Sequence, residues 1–434
     1  MTNKKVSTES YKGVRDFYPE DQAVQNYIFG VMRKVAESWG YLEYGASVLE
    51  PLELYKSKSS EEIVNDQIYS FTDRGDREVA LRPEMTPTVA RMVAARIQEL
   101  PKPVRWYSIP NLFRYEKPQR GRLREHWQLN VDIFGISSPY ADAEIIMVAA
   151  DIMKKFGAKN EDFVIKINSR ELLQAMLKKA SIPESDSLLV YRLIDKKEKM
   201  PEDEFRRSMA SLVGEEPAEK ILEMLYFDGA LTTVFREEAS ASRLEEVINI
   251  LKSGGVSNVV FEPTLTRGFD YYTGVVFEVF DTNKENPRSL FGGGRYDNLA
   301  ENFVNEKIPA FGFGMGDVTI HDFLETHELL PDLASSTDLY IAVAPEADLA
   351  EVYKVADAFR EKGVNVAVDI GNKKLADQLK SLEKNKVPFV VTIGPTEIET
   401  KQFTLRNTKT REEKTGSIEE VSRLLMDVEP TRFR

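Results

Sequence analysis

Residues 111–135, NLFRYEKPQRGRLREHWQLNVDIFG, constrain this chain more than any other stretch. The first four and the last eight read as strands, with apolar side chains at Leu112, Phe113, Leu129, Val131, Ile133 and Phe134. Between them runs a polar loop marked by Pro118 and Gly121, with four cations among the eight residues 117–124. Two antiparallel strands joined by so basic a loop suit a hairpin that covers a polyanion. Arg114, on the strand, offers a fixed fork for one phosphate, and Arg120, Arg122 and Arg124 can reach others. On the returning strand Gln128 and Asp132 project from one face, because side chains alternate with period two. An amide and a carboxylate beside a phosphate site suit a second substrate that is cationic or carries an amine. Most charge runs are solvated surface, but the spacing here is too particular for that reading.

At 434 residues the chain has room for two or three domains, each with its own core. Its 42% apolar and 30% charged composition is that of an ordinary soluble protein, and no run of 18 apolar residues could span a membrane. The first residues, MTNKKVSTESYKGVRDF, lack the apolar core of a signal peptide. With no cysteine and three histidines, disulfides and thiol chemistry are excluded and no protein metal site is expected. These features lead us to expect a cytoplasmic protein without membrane association. The net charge of −13 argues against a dedicated nucleic-acid binder. Distribution matters more than the sum, however: residues 102–124 hold seven cations and one anion, Glu116. A basic cleft on an acidic protein remains compatible with a polynucleotide substrate.

Along the chain, YKGVRDFYP precedes a helical stripe of Val24, Tyr27, Ile28, Val31 and Val35. Residues 68–72 and 78–81 alternate as a hairpin about Asp73-Arg74-Gly75-Asp76. Thr86-Pro87 then opens a helix, so Glu84 and Thr86 fall at a strand end, where their oxygens can meet an amine. Residues 141–156 read as an amphipathic helix and 163–167 as a buried strand. Residues 170–258 change character, with helical periodicity, many Lys and Glu, and no strand pattern. In FEPTLTRGFDYYTGVVFEVF, residues 261–280, Thr273-Gly274 is read as a turn between two strands. Adjacent tyrosines on a strand point oppositely, so only one of Tyr271 and Tyr272 would face a given pocket unless the chain bends. FGGGRYDNL and the glycine-spaced PAFGFGMGDVT follow, the latter a strand leading into a helix near Asp317. Beyond a linker over residues 330–337 the pattern becomes βαβαβ, with Asp348 capping a helix and Ser417 and Glu420 forming a capping box. Such alternation predicts a parallel or mixed sheet flanked by helices.

These stretches resemble the histidyl branch of the class II aminoacyl-tRNA synthetases. Residues 111–135 resemble motif 2 of that class, and YKGVRDFYP is similar to the opening of the histidyl catalytic domain. LRPEMT matches an LRPE-T signature, RGFDYY nearly matches a histidine-binding signature LVRGLDYY, and FGGGRYDNL carries GGGRYD. The resemblance implies an α/β chain whose α+β catalytic domain has a class II antiparallel sheet with helices. It divides into a first catalytic part at 1–169, a mostly helical insertion at 170–258, a second catalytic part at 259–329 and a C-terminal α/β anticodon-binding domain at 330–434.

It further implies a histidine–tRNA ligase, using ATP with Mg²⁺, L-histidine and tRNA(His), and working as a homodimer. Glu84 and Thr86 would hold the ammonium of histidine, and Gln128 and Asp132 its amine and ring. Tyr271 and Tyr272 would line the imidazole pocket. Arg267 would meet the histidine carboxylate and the α-phosphate. Arg114 would join Arg267 against the developing charge, while Glu116, Arg122 and His126 complete the ATP site. Two departures stand out. Ser47 takes the place of the usual motif 1 proline, and Thr319 that of the motif 3 arginine, which leaves Arg120, Arg122 and Arg124 as substitutes. The rival reading is a non-catalytic relative, the regulatory subunit of ATP phosphoribosyltransferase, which normally lacks the C-terminal domain. A class II synthetase for another amino acid is disfavoured by RGFDYY and GGGRYD.

Overall fold

The structure is a computed structural model that describes residues 6–56, 63–197, 200–226, 238–266, 271–333, 335–371, 374–384 and 386–427. It falls into two compact units, Met1–Leu330 and Pro331–Arg434.

The strands of the first unit are β1 Leu42–Glu43, β2 Leu49–Pro51, β3 Tyr69–Thr72, β4 Glu78–Leu81, β5 Val104–Ser108, β6 Asn111–Phe113, β7 Glu125–Phe134, β8 Phe163–Ser169, β9 Val259–Phe261, β10 Val275–Asp281, β11 Ser289–Arg295 and β12 Ala310–Gly316. Nine of them form one sheet in the order β1-β5-β7-β12-β11-β10-β8-β9, with β6 on the outer part of β7. Pairing is antiparallel throughout except at the two ends, where β1 joins β5 and β9 joins β8 in parallel. β2, β4 and β3 make a separate three-stranded antiparallel sheet.

β7 carries the unit's central stripe. Its last six residues are buried and its first four only half so, so the strand leaves the core as it reaches the basic loop. On the core face Leu129, Val131 and Ile133 pack with Phe277, Phe311 and Phe313 against the Pro139–Lys155 helix. That helix begins at Ser138, whose Oγ accepts from the Tyr140 N–H at 3.2 Å. The helical periodicity expected over residues 170–258 forms, among the described residues, the helices Arg170–Lys179, Glu184–Ile194, Glu202–Val213, Glu215–Leu225 and Ala239–Ser253. Their buried residues join the same hydrophobic cluster as the sheet, so helices and sheet share one core.

The turn expected at Thr273-Gly274 leads into β10, but among the described residues no strand runs directly into it. Residues 262–266 run without strand pairing after β9. The reason is a side chain. Asn168 Nδ2 donates to the Pro263 and Leu265 carbonyls at 3.1 and 3.0 Å, satisfying groups that a strand would have paired.

In the second unit β13 Leu339–Val343, β14 Val366–Val368, β15 Phe389–Ile393, β16 Phe403–Asn407 and β17 Glu413–Gly416 form a mixed sheet in the order β14-β13-β15-β16-β17. Asp348 caps its first helix, and Ser417 and Glu420 exchange the two bonds of a capping box, at 2.8 and 3.3 Å. β17 had no sequence signal, because Glu-Lys-Thr-Gly offers no apolar alternation; it is an edge strand held by its pairing to β16. Among the described residues no helix is long and apolar enough to cross a membrane.

Candidate active site

One cavity of about 120 Å³ opens over the outward face of β7, β12 and β11. Glu84, Thr86, Arg114, Gln128, Tyr271 and Tyr272, all anticipated from the sequence, stand in its wall. Asn130, Tyr296 and the Gly292 and Gly312-Phe313-Gly314 stretches of β11 and β12 complete it.

The glycines make the space. Across the sheet Gly292 faces Gly314 and Gly294 faces Gly312, while Gly312 and Gly314 pair with Asp132 and Asn130 of β7. A Cβ on Gly312 would collide with Asp132 Oδ1, one on Gly314 with the Gln128 amide, and one on Gly294 with the Tyr272 ring. Two strands, β11 and β12, therefore lie bare where side chains of β7 and the Tyr272 ring fold across them.

Glu84 is buried, 3% exposed, at the end of the hairpin formed by β3 and β4, and its Oε2 accepts from the Tyr271 hydroxyl at 3.1 Å. Beside it Arg82 is a structural post, donating to the carbonyls of Asn111 and Ala46 at 2.9 and 2.8 Å. Both tyrosines face the cavity, their rings 5.0 Å apart and tilted by 60°. This is possible because residues 271–274 turn rather than run as a strand. Tyr296 closes the deep end, edge-on to Tyr271 at 5.9 Å, and its hydroxyl donates to Asp132 Oδ1. Asp132 Oδ2 is buried with no hydrogen-bond partner among the described residues. Burial pushes the Asp132 carboxyl up to about 7, against the opposing pull of the Tyr296 hydrogen bond.

Arg114 lies one residue beyond β6. Its Nε donates to the Pro83 carbonyl at 2.8 Å, and among the described residues no group bonds Nη1 or Nη2. The fork is held by its stem with its prongs unengaged. His126, half-buried on β7, is lowered to about 3 by burial and then by the charges of Arg114 and Arg15, so it is a neutral aromatic ring at physiological pH. The basic loop turns tightly: Gln119 and Arg122 exchange backbone bonds at 3.0 and 2.9 Å, and Gly121 takes φ +75°. Its tip lies on the Asp317–Thr326 helix, where Arg120 Nη2 donates to Thr326 Oγ1 at 3.2 Å. A Cβ on Gly121 would lie 3.6 Å from Thr319 Cγ2, so the loop covers the position of the missing arginine. Arg122 pairs with Glu116 at 3.4 Å. Thr319 spends its hydroxyl on the Leu290 carbonyl at 2.6 Å.

Arg267 lies outside the described residues. Sequence reasoning overlooked Asn130, Tyr296 and Arg15. Tyr296 was visible in GGGRYD, and Asn130 sits between Gln128 and Asp132 on the same face. Arg15 stands in YKGVRDFYP, but nothing local named its partner: it reaches Asp317 at 2.6 Å across 302 positions of chain.

Comparison with known proteins gives concordant results. The family described as histidyl-tRNA synthetase matches residues 13–318, and the family described as anticodon binding domain matches residues 338–427. A histidine–tRNA ligase of Leptospira biflexa is 43% identical over 97% of this chain and 98% of its own length. One from Haloarcula marismortui is 38% identical over 92% of this chain and 93% of that one. In fold the chain is similar to the crystal structure of a Nostoc histidyl-tRNA synthetase, with a TM-score of 0.83 and 24% identity over 97% and 99% of the two chains.

The Asp132 shift gives a pH test. Its folded pKa of about 7 lies above the unfolded value of about 3.9, so the folded state holds the proton more tightly. The protonated group is favoured at low pH, and stability is lost as pH rises through about 7, by at most about 1.4 kcal/mol per pH unit in that window. Thermal midpoints of the ligand-free protein between about pH 5 and 8 should therefore fall relative to those of Asp132→Asn. A constant difference across that range would show that Asp132 is already ionised at its lower end.

Proposed function

The chain belongs to the histidyl-tRNA synthetase family, and from the geometry of its cavity we propose how it works as a histidine–tRNA ligase. A carboxylate oxygen of histidine attacks the α-phosphorus of ATP, pyrophosphate leaves, and histidyl-adenylate forms. A hydroxyl of the terminal adenosine of tRNA(His) then attacks the acyl carbon and AMP leaves. No protein nucleophile is required. The protein supplies alignment and charge stabilisation, which make up most of catalysis in such transfers.

The observation that carries this reading is the convergence of Glu84, Thr86, Gln128 and the two tyrosines on one cavity with Arg114 in its wall. Glu84 and Thr86 suit the ammonium of histidine. Gln128, Tyr271, Tyr272 and the unpartnered Oδ2 of Asp132 suit an imidazole, which carries an N–H donor. Arg114 and Arg267 answer the charge on the α-phosphate, with Arg267 assigned from its place in RGFDYY. Neutral His126 suits stacking on adenine, with Glu116 nearby. Arg122, on the loop that covers Thr319, is the cation for the terminal phosphates, and Mg²⁺ arrives on those phosphates as part of the substrate.

The 338–427 match supports anticodon binding by the second unit, which the non-catalytic rival normally lacks. Homodimerisation is supported by the apolar side chains left open around β1 and the small sheet: Leu42 is 68% exposed, Leu49 47% and Phe71 50%. Sedimentation should show a dimer that Leu42→Glu with Phe71→Glu dissociates; a wild-type monomer at micromolar concentration would refute that pairing.

ATP–pyrophosphate exchange against all twenty amino acids tests the activity directly. Exchange should appear with histidine alone, with analogues that lack a hydrogen-bonding ring rejected by roughly 10⁴ or more. Exchange with another amino acid, or with none, would overturn the assignment. Within that assay Arg267→Ala should lower the rate by about 10²–10³. Arg122→Ala should raise the Michaelis constant for ATP about ten- to hundred-fold and leave that for histidine nearly unchanged. An unaltered ATP constant would place the terminal-phosphate cation elsewhere.

A further inference from the structure

A buried charged cluster joins the helical segment to the amino-acid cavity without lining it. Asp142, in the first turn of the Pro139–Lys155 helix, is wholly buried and meets two arginines. Its Oδ1 accepts from Arg295, from Nε at 2.8 Å and also from Nη2, and its Oδ2 accepts from Arg243 Nη2 at 2.9 Å. Arg243 belongs to the Ala239–Ser253 helix and also donates to the Ser137 carbonyl at 2.6 Å.

From Arg295 the chain of contacts runs to the cavity. Arg295 Nη1 donates to Asp297 Oδ1 at 2.9 Å, and the Asp297 N–H donates to Thr273 Oγ1 at 3.1 Å. The Thr273 N–H donates back to the Arg295 carbonyl at 2.7 Å. Thr273 directly follows Tyr271 and Tyr272, and Arg295 directly precedes Tyr296. All three cavity tyrosines therefore hang from the two ends of one hydrogen-bonded ring.

We propose that Arg243 is a positioning residue for the amino acid: through Asp142 and Arg295, the helical segment sets the placement of Tyr271, Tyr272 and Tyr296. It rests on the reading of the cavity as the histidine site. A buried carboxylate shared by two guanidinium groups has its orientation fixed by both. Without Arg243, Asp142 Oδ2 loses its partner among the described residues, and the carboxylate turns toward Arg295. Arg295 then shifts with the strand end and turn that carry the tyrosines. The ATP contacts proposed on Arg114, His126 and the basic loop share none of these bonds. Arg267, assigned to the α-phosphate, acts on the reaction at the histidine end of ATP, so the effect falls on the Michaelis constant for histidine and spares that for ATP, which the remaining contacts set.

The test is ATP–pyrophosphate exchange on the full chain. Arg243→Gln should raise the Michaelis constant for histidine about three- to thirty-fold, with that for ATP within about two-fold of wild type. Arg243→Lys, which keeps the charge, should bring the histidine constant most of the way back. Thr273→Val should act in the same direction, and combining it with Arg243→Gln should add little, because both break one path. If Arg243→Gln does not fold, Arg243→Met, which keeps the apolar stem, is read in its place. An unchanged histidine constant, an equal rise for both substrates, or additive effects in the double variant would each overturn the proposal. Absence of histidine-dependent exchange in the wild-type chain would instead bring down the functional reading, and this inference with it.

Discussion

The site depends on two neighbouring strands, β11 and β12, whose facing positions are glycine, set beside β7, which carries Gln128, Asn130 and Asp132 on the same face. β7, β12 and β11 run antiparallel with Gly292, Gly294, Gly312 and Gly314 in register, and any Cβ at Gly294, Gly312 or Gly314 would strike a side chain that lines or closes the cavity. The same three strands bury Phe311, Phe313 and Leu129 on their other face. One sheet thus has a face filled to interior density and a face stripped to backbone. The filled face supplies the rigidity that lets the bare one hold a cavity open.

Charge is handled by two devices in that cavity. Burial holds back ionisation: it raises the Asp132 carboxyl to about 7, and with the charges of Arg114 and Arg15 it lowers His126 to about 3. Cations that must act have their stems pinned. Arg114 is tied at Nε to the Pro83 carbonyl, so its terminal nitrogens are oriented before a ligand arrives. A chain with a net charge of −13 can therefore present a basic site, because the local arrangement outweighs the sum. The basic loop rests on the Asp317–Thr326 helix above Thr319, so the departure from the motif 3 pattern and the position of the loop are one feature.

Much was legible in order along the chain. The long helices, the hairpin formed by β3 and β4, the strand of the basic hairpin and the βαβ run of the second unit all carry period or capping signals, and each stands where those signals lie. Gln128 and Asp132 share a face because β7 is a regular strand. The misread elements are those whose backbone bonds are made from outside the segment. The Pro263 and Leu265 carbonyls are satisfied by the side chain of Asn168 on β8, and β17 is paired through an edge that its own residues do not advertise.

Helix and strand periodicity, capping residues and short signatures are local, so the family, the order of elements and most of the side-chain types that line the cavity could be read along the chain. Tertiary structure decided which of those side chains share a space. That both Tyr271 and Tyr272 face the cavity follows from a turn held by Thr273 and Arg295, not from strand alternation. That Asp132 stays protonated to about pH 7, and that Arg243 reaches a carboxylate 101 positions away, follow from burial and from contacts across the core. Burial and long-range contact belong to the packed chain, since a dihedral preference or an apolar period extends over only a few residues, whereas a desolvated carboxylate is made by everything folded around it.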